Sequence, residues 1–437
     1  MAWTGEFCVV SSVVVRSHTD LALAELESSF LRIGTGEPMR VLNAVQSYYP
    51  FQDRGGPVVK VRALARGLAS RGHDVTVLTA DLGLASLNGS SIKVQACKWG
   101  WRSQEDGVEA IYLPTVGHYR ALTINPRVIN FCESSLGDFD IVHFYGLYDL
   151  LGPAVSHYCV RRGIPYVIEP MGMFRPIDRG FLMKRLWHRF FDGAYWNHAA
   201  KIIATSEMEH QELLDDGSSL EKVVIRYNGI DADLCDNLPA KGSFRTKWQI
   251  PADEPLVLFL SRLIPRKGAE LLIEAFAKAC PISGRLVIAG PEGESGYREH
   301  LEKCVQTACL ERRVIFTGPL YDQDKKAVLE DANLFVLPSR YENFANVAAE
   351  AMAFGVPVIV TDTCGIRSLV QGEAGLVISY EKDALAGAIR SLLFNKELYA
   401  KMHEGCGRVT AKLSWSYLTE QMEGYYGEVL ARENAVC

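Results

Sequence analysis

Two carboxylates eight residues apart, Glu342 and Glu350, flank the opening of a helical pattern in PSRYENFANVAAEAMAFGVP (338–357). The strand-like run Leu334, Phe335, Val336, Leu337 precedes this pattern, and Gly355 and Pro357 close it. The first turn, read over Phe344, Ala345 and Asn346, carries backbone N–H groups without intrahelical partners, and the helix dipole favours an anion there. Earlier in the chain, SRLIPRKG (261–268) sets Arg262 and Lys267 five residues apart in a loop bounded by Pro265 and Gly268, so both side chains reach one point. A guanidinium fork beside a point-charge ammonium suits a diphosphate. The same pair would stabilise negative charge building on a departing nucleoside diphosphate without a metal. Acids that grip hydroxyls, with amides and cations that grip phosphate, together describe a site for a sugar diphosphate. A solvated acidic helix start and a solvated basic loop are the plain alternatives, and the co-occurrence of the two features weighs against both.

A succession of strands and helices must position these groups. A strand at 40–45 leads to Arg54-Gly55-Gly56-Pro57, then to a helix over 57–71 and a strand at 74–78. Pro57 suits a first helical position and Gly72 a stop. Small residues such as Gly55 and Gly56 let backbone approach a phosphate closely, although the pair lacks the G-x-G-x-x-G spacing of a dinucleotide site and a turn that needs glycine explains it as well. Further strand-like runs fall at 92–97, 110–113, 141–145, 166–169, 201–204 and 223–226, with helical patterns between several of them. Ser206-Glu207-Met208-Glu209 is a capping box that starts a helix. The stretch 236–254 is polar, contains proline and breaks the rhythm, which marks a domain boundary. Beyond it strands recur at 256–260, 286–289, 314–316, 334–337, 358–360 and 376–378, with helices between them. Alternation of this kind predicts two α/β domains, each a doubly wound parallel sheet, with ligands at strand C-terminal ends and hence in the cleft between the domains.

Bulk properties agree. The 437 residues are 48% hydrophobic and 22% charged, as expected of a globular chain with core for two or three domains. A net charge of -6 argues against a nucleic-acid partner. The 11 cysteines lack paired zinc-type spacing and predict reduced thiols in a cytosolic protein. Asp231-Ala232-Asp233 reads as a capped turn rather than a metal pair, and no other metal spacing is visible in the linear sequence. His143, at a strand end in DIVHFYG, suits either a ligand contact or a structural role. No G-x-S-x-G elbow appears, which counts against a hydrolase. Within 179–198, Lys184, Arg185, His188 and Arg189 are mixed with Phe181, Trp187, Phe190, Phe191, Tyr195 and Trp196. This is the pattern of an amphipathic helix that either packs on the core or touches an anionic membrane surface. No apolar run approaches the length of a bilayer-spanning helix. FCVVSSVVV (7–15) has no positive charge in front of it, unlike a secretory signal, and MRVLNAVQ from Met39 reads as a first strand. Residues 1–38 are therefore expected to be extraneous or poorly ordered.

R-L-x-P-x-K-G (262–268), AGPEGESGY (289–297), VIFTGPL (314–320) and ENFANVAAEAMAFGVPVIVTD (342–362) resemble glycosyltransferase family 4. Gly55-Gly56, DIVHFYG, ATSEMEHQEL and NGID at Asn228 agree, and the resemblance runs from about Met39 to Arg432. It implies a GT-B architecture: two Rossmann-like domains facing across a cleft, an acceptor domain over 39–240 and a nucleotide-sugar donor domain over 254–412. A terminal helix over 413–437 would cross back to the first domain. By position, Arg262 and Lys267 would bind the donor diphosphate, Glu350 the ribose and Glu342 the hydroxyls of the transferred sugar. Backbone amides of Phe344, Ala345 and Asn346 would serve phosphate and sugar, and Gly55 and Gly56 would close from the other domain. Met171, in VIEPMGMF, stands where many relatives carry His or Arg.

What the resemblance implies is a retaining, metal-independent transferase that moves a hexosyl group from a nucleotide sugar to a sugar or lipid-linked glycan, in surface polysaccharide synthesis on the cytoplasmic side of a membrane. No cofactor beyond the nucleotide-sugar co-substrate is expected. A nucleotide-sugar epimerase, a sugar phosphorylase and a non-catalytic nucleotide-sugar binder are the rival readings. The base, sugar, acceptor and linkage lie in pocket side chains that spacing does not reveal.

Overall fold

The computed structural model describes residues 37–51, 56–82, 84, 92–119, 122–174, 195–280 and 283–436. The basic residues Lys184, Arg185, His188 and Arg189, Gly55, and residues 1–36 of the N-terminal stretch lie outside the described residues.

Central strands are short apolar runs buried on both faces, the pattern expected of parallel sheets covered by helices, and more polar, partly exposed strands complete the edges. In the N-terminal half the strands are β1 (Arg40–Val45), β2 (Asp74–Ala80), β3 (Gln95–Cys97), β4 (Gly100–Glu105), β5 (Val108–Leu113), β6 (Gly117–Tyr119), β7 (Leu122–Ile124), β8 (Ile141–Tyr145), β9 (Tyr166–Glu169), β10 (Lys201–Ala204) and β11 (Val223–Ile225). A nine-stranded sheet runs β11-β10-β9-β8-β1-β2-β5-β4-β3, and β6 pairs with β7 separately. In the C-terminal half, β12 (Leu256–Leu260), β13 (Arg285–Ala289), β14 (Val314–Gly318), β15 (Leu334–Leu337), β16 (Val358–Thr361) and β17 (Gly375–Ile378) form a six-stranded sheet ordered β14-β13-β12-β15-β16-β17. Every pairing in this second sheet is parallel. The two sheets with their helices form the two-domain GT-B α/β architecture.

The first sheet departs from a wholly parallel one at its edge, where β4 pairs antiparallel with both β3 and β5. The cause is local. Asp106 and Gly107 join β4 to β5 at φ values of 52 and 78, the left-handed pair of a two-residue hairpin turn. The Asp-Gly dipeptide announced this hairpin, and a reading that looked for β–α alternation passed over it.

Helix ends also differ from expectation. The helix read as opening at Phe344 begins at Asn346 (Asn346–Ala353), and Ala345 caps it in the left-handed region at φ 82 and ψ 60. Such a conformation costs a non-glycine residue about 1–2 kcal/mol and persists where the surroundings impose it.

The last helix, Trp415–Val436, packs against the helix Gly56–Ser70 and buries Met422, Tyr425, Tyr426 and Val429 in the core of the first sheet. Its entry is pinned by Ile230 N–H donating to Leu413 C=O at 2.8 Å and by the Trp415 indole donating to Asp231 at 3.1 Å. Gly229 lies beneath the Trp415 ring, where a Cβ would collide with it. Asp231, read from the sequence as a turn carboxylate, thus tethers the returning helix. Among the described residues, no helix is long and apolar enough to cross a membrane.

Candidate functional site

β15 delivers the chain to a loop that passes Glu342 and enters the helix Asn346–Ala353. Glu342 bridges to Cys364 as an extra strand-like contact, with its N–H donated to Thr363 C=O at 3.1 Å. A cavity of about 320 Å³ opens between this segment and the N-terminal half. Glu342, Asn343, Phe344, Ala345, Asn346 and Glu350 line one side; Pro57, Lys60, Met171, Thr205 and Asn228 line the other. The amides of Asn346 and Val347 open the helix, in the positions an α-helix leaves without internal partners. Gly56 begins the opposing helix Gly56–Ser70, whose first turn supplies Pro57 to the wall. Two helix N-termini therefore face one space, which favours negative charge within it.

Each carboxylate holds a cation. Lys267, itself only 8% exposed, pairs with Glu342. Glu350 pairs with Lys325 of the helix Asp322–Asp331 at 2.6 Å. The geometry behind the first pair lies in Gly268: its φ of 75 and its contact with the Pro338 carbonyl leave no room for a Cβ, so the Lys267 loop lies tight against the Glu342 loop. Neither Lys267 nor Arg262 lines the cavity; Lys267 reaches it through its pairing with Glu342, whereas Arg262 is exposed. The structure thus brings Lys267, Glu342, Glu350, Ala345 and Asn346 together and leaves Arg262 at the margin.

The cavity's far wall rests on a buried ionic cluster. Glu169, at the end of β9, pairs with Lys60 and Arg226, all three buried. Burial would raise the Glu169 carboxyl, but the Arg226 and Lys60 charges override it and hold it below the usual range. Burial lowers Lys60 to about 8 against the pull of Glu169. Lys60 also donates to Asn228 at 2.5 Å, and Asn228 donates across the cavity to Asn346 at 2.9 Å. Sequence reasoning missed Lys60, although a charged residue between Val58 and Val61, both fully buried, was a signal that this helix face carries more than packing.

His143 belongs to the same cluster and not to the cavity. It is fully buried, its Nδ1 lies 2.7 Å from the Tyr426 hydroxyl, its ring stacks on Tyr145, and Nε2 stands 3.6 Å from Glu169. Burial lowers it to about 3, so the folded ring stays neutral where an unfolded one takes a proton. A histidine lowered on folding contributes stability that is complete above its unfolded value and is lost as pH falls through the window from about 6.5 towards 3. The expected result is a urea midpoint that drops through this window in the wild type and drops less steeply in His143→Gln, measured by unfolding curves at a series of pH values.

The two halves also touch directly. Asn343 Nδ2 donates to Thr205 Oγ at 2.7 Å, and a Cβ on Gly172 would strike Asn343. The expected capping box is formed in part. Ser206 Oγ accepts from Glu209 N–H at 3.0 Å, but the Glu209 carboxylate accepts from Thr205 and Gly172 N–H, at 2.8 and 2.6 Å, instead of returning to Ser206. Met171, at φ 58 beside Gly172, lines the cavity where a polar side chain would touch its contents. A smaller cavity of about 180 Å³ adjoins, sharing Pro57 and Met171 and walled by Tyr145 and Asp149; burial pushes Asp149 up to about 6.

Away from both cavities, Glu270, His300 and Cys304 bring one ligand atom each within 4.8 Å of one another. The linear scan for metal spacing did not see this group, because Glu270 comes from a different helix than the other two.

Comparison with known proteins gives these features a setting. Residues 55–229 match the glycosyl transferase 4-like domain, and residues 241–406 match glycosyl transferases group 1. The chain is 26% identical over 401 residues to an uncharacterized glycosyltransferase of Methanocaldococcus jannaschii, covering 86% of this chain and 95% of that protein. It is 27% identical to the D-inositol 3-phosphate glycosyltransferase of Corynebacterium glutamicum, over 87% of this chain and 94% of that one. Among solved structures, Anabaena HepE in complex with UDP and glucose superposes with a TM-score of 0.66 at 21% identity, covering 88% of this chain and 98% of that one. Sucrose-phosphate synthase from Thermosynechococcus elongatus superposes with a TM-score of 0.66 at 23% identity, covering 90% and 100%. The chain is a GT-B-fold glycosyltransferase related to the group 1 and 4-like glycosyl transferases.

Proposed function

We propose that this protein is a retaining hexosyltransferase that moves a sugar from a nucleotide-sugar donor to a sugar or lipid-linked glycan in surface polysaccharide synthesis. The observation that carries the reading is the cavity between the halves, where Glu342 and Glu350, each paired to a lysine, meet a helix N-terminus. The residues from 254 to 412 serve as the donor domain, those from 39 to 240 as the acceptor domain, and 413–437 as the helix that ties them. The structure of HepE with UDP and glucose supports a nucleotide sugar as the donor.

Within this reading Lys267 and Arg262 take the diphosphate, and the amides of Phe344, Ala345 and Asn346 take phosphate and sugar oxygens. Glu342 orients the sugar hydroxyls and Glu350 the ribose, while Gly55 and Gly56 approach the phosphate from the opposite side. The bond from the anomeric carbon to the diphosphate breaks as the acceptor oxygen attacks from the same face, and a phosphate oxygen takes the acceptor's proton. Charge left on the diphosphate falls to Lys267 and the helix amides, so the transfer needs no metal. The smaller cavity beside Asp149, at the C-terminal ends of the first sheet's strands, is the acceptor's place. The work is done in the cytoplasm, with the basic aromatic stretch 179–198 touching an anionic membrane face that holds the acceptor.

Incubation with radiolabelled UDP-, GDP- and ADP-sugars tests the reading. Transfer to a glycan supports it. An isomerised donor would point to an epimerase, phosphorolysis to a phosphorylase, and binding without turnover to a non-catalytic binder. Glu350→Ala is expected to raise the donor KM more than it lowers kcat, because a ribose contact is as strong in the ground state as in the transition state. A pure kcat loss in steady-state kinetics would contradict that role.

A further inference from the structure

A second site stands apart from the sugar chemistry. The helix Ala269–Ala279 begins with Glu270 in its first turn, and the helix Tyr297–Thr307 lies beside it. His300 and Cys304 are one turn apart on the second helix, so both project from the same face. His300 Nε2 lies 3.3 Å from Glu270 Oε1 and 3.7 Å from Cys304 Sγ, and the carboxylate and sulfur complete a triangle with no side longer than 4.8 Å. We propose that Glu270, His300 and Cys304 form a site for a borderline-soft divalent cation of the zinc class, which staples these two helices together.

The distances carry the argument. Tetrahedral zinc with Zn–N and Zn–O of roughly 2.0–2.1 Å and Zn–S of roughly 2.3 Å sets its N and O ligands roughly 3.3 Å apart and its N and S ligands roughly 3.6 Å apart. Those are the spacings found between these atoms. An ion pair between Glu270 and His300 accounts for the first contact and an i,i+4 hydrogen bond between Cys304 and His300 for the second, but neither requires all three donor atoms to converge on one point. The donor set of one carboxylate, one imidazole and one thiolate suits zinc better than calcium or magnesium, which take oxygen ligands. Binding converts the Cys304 thiol to thiolate and releases its proton, so the ligands carry two negative charges to neutralise the ion. The His300 ring stacks on Tyr297, a buried residue, which fixes its plane. Of the lysines in the same pocket, Lys278 is engaged with Asp383 at 2.8 Å and Lys382 with Glu274 at 3.6 Å, which blunts their repulsion of a cation, while Lys303 is exposed to solvent beside Cys304. The side chains of His300 and Glu270 are 49% and 46% exposed, leaving the fourth position to water. None of the three ligands lines the donor cavity. The ion holds the helix that follows Lys267 and Gly268 against the helix that follows the 289–296 loop.

The test uses the full chain, freed of metal with chelator and titrated with Co²⁺ and then Zn²⁺. The wild type is expected to develop a thiolate-to-cobalt charge-transfer absorption that saturates at one equivalent and is displaced by Zn²⁺. Cys304→Ser should abolish the band, His300→Ala should weaken it, and Cys309→Ser, an exposed cysteine just beyond the end of the same helix, should leave it intact. Circular dichroism checks that each variant is folded. No cobalt–thiolate band in the wild type, or a band that survives Cys304→Ser, overturns the proposal.

Discussion

Lys267→Ala is expected to lower kcat/KM at least about 100-fold, the scale on which a single donor to developing oxyanion charge acts. The ammonium is buried against the Glu342 carboxylate, where it is held in one position. Removal has two consequences that act together: the departing diphosphate loses a counter-charge, and Glu342 loses the partner that holds its carboxylate in place. Steady-state kinetics with the donor found in the screen measures the loss, and Lys267→Arg separates the two causes, since a guanidinium restores charge without the ammonium's compact shape. Arg262→Ala is expected to act in the same direction. Because Arg262 is exposed, its removal disturbs no packing and reports on the donor alone. Wild-type kinetics for Lys267→Ala would remove this residue from the site.

The second large effect is on stability. Glu169→Ala is expected to destabilise the protein by about 3–5 kcal/mol, because it strands Arg226 and Lys60 as buried charges without a counter-ion. The measurement is the urea midpoint. The replacement that removes all of the charge, a Glu169→Gln, Lys60→Met and Arg226→Met triple variant, is expected to recover most of the loss, since well-packed apolar groups avoid the desolvation of ions. A single Glu169→Ala variant as stable as the wild type would show that water enters and solvates the cluster. Glu169 lies directly behind the wall that carries Lys60 and Met171, so the same variant is expected to alter the cavity as well as the fold.

How much of this was legible beforehand differs by element. The cores of the strands were plain because a parallel strand buried on both faces is written as a short, mostly apolar run: Leu334–Leu337, Ile141–Tyr145 and Lys201–Ala204 fall where the pattern put them. The antiparallel edge was written too, in Asp106-Gly107, but its signal is a turn and not a periodicity. Helix starts were less legible. The Asn346 helix opens two residues late because Ala345 adopts a left-handed conformation that no alanine announces.

The candidate site divides in the same way. Sequence by itself determined the ingredients: two acids at a helix start, a cationic loop after a strand, and glycines where backbones crowd. These are local facts, set by spacing along one segment. Which lysine meets which acid was decided by tertiary structure. Lys267 reaches Glu342 because Gly268 lets two loops touch, and Lys325 reaches Glu350 from a neighbouring helix. Lys60 joins the cavity because the ends of β9 and β11 hold Glu169 and Arg226 around it. Glu270 meets His300 and Cys304 because two helices lie side by side. Interactions between charges fall off over a few ångströms while the residues that make them stand tens of positions apart, so their pairing is a property of the folded chain.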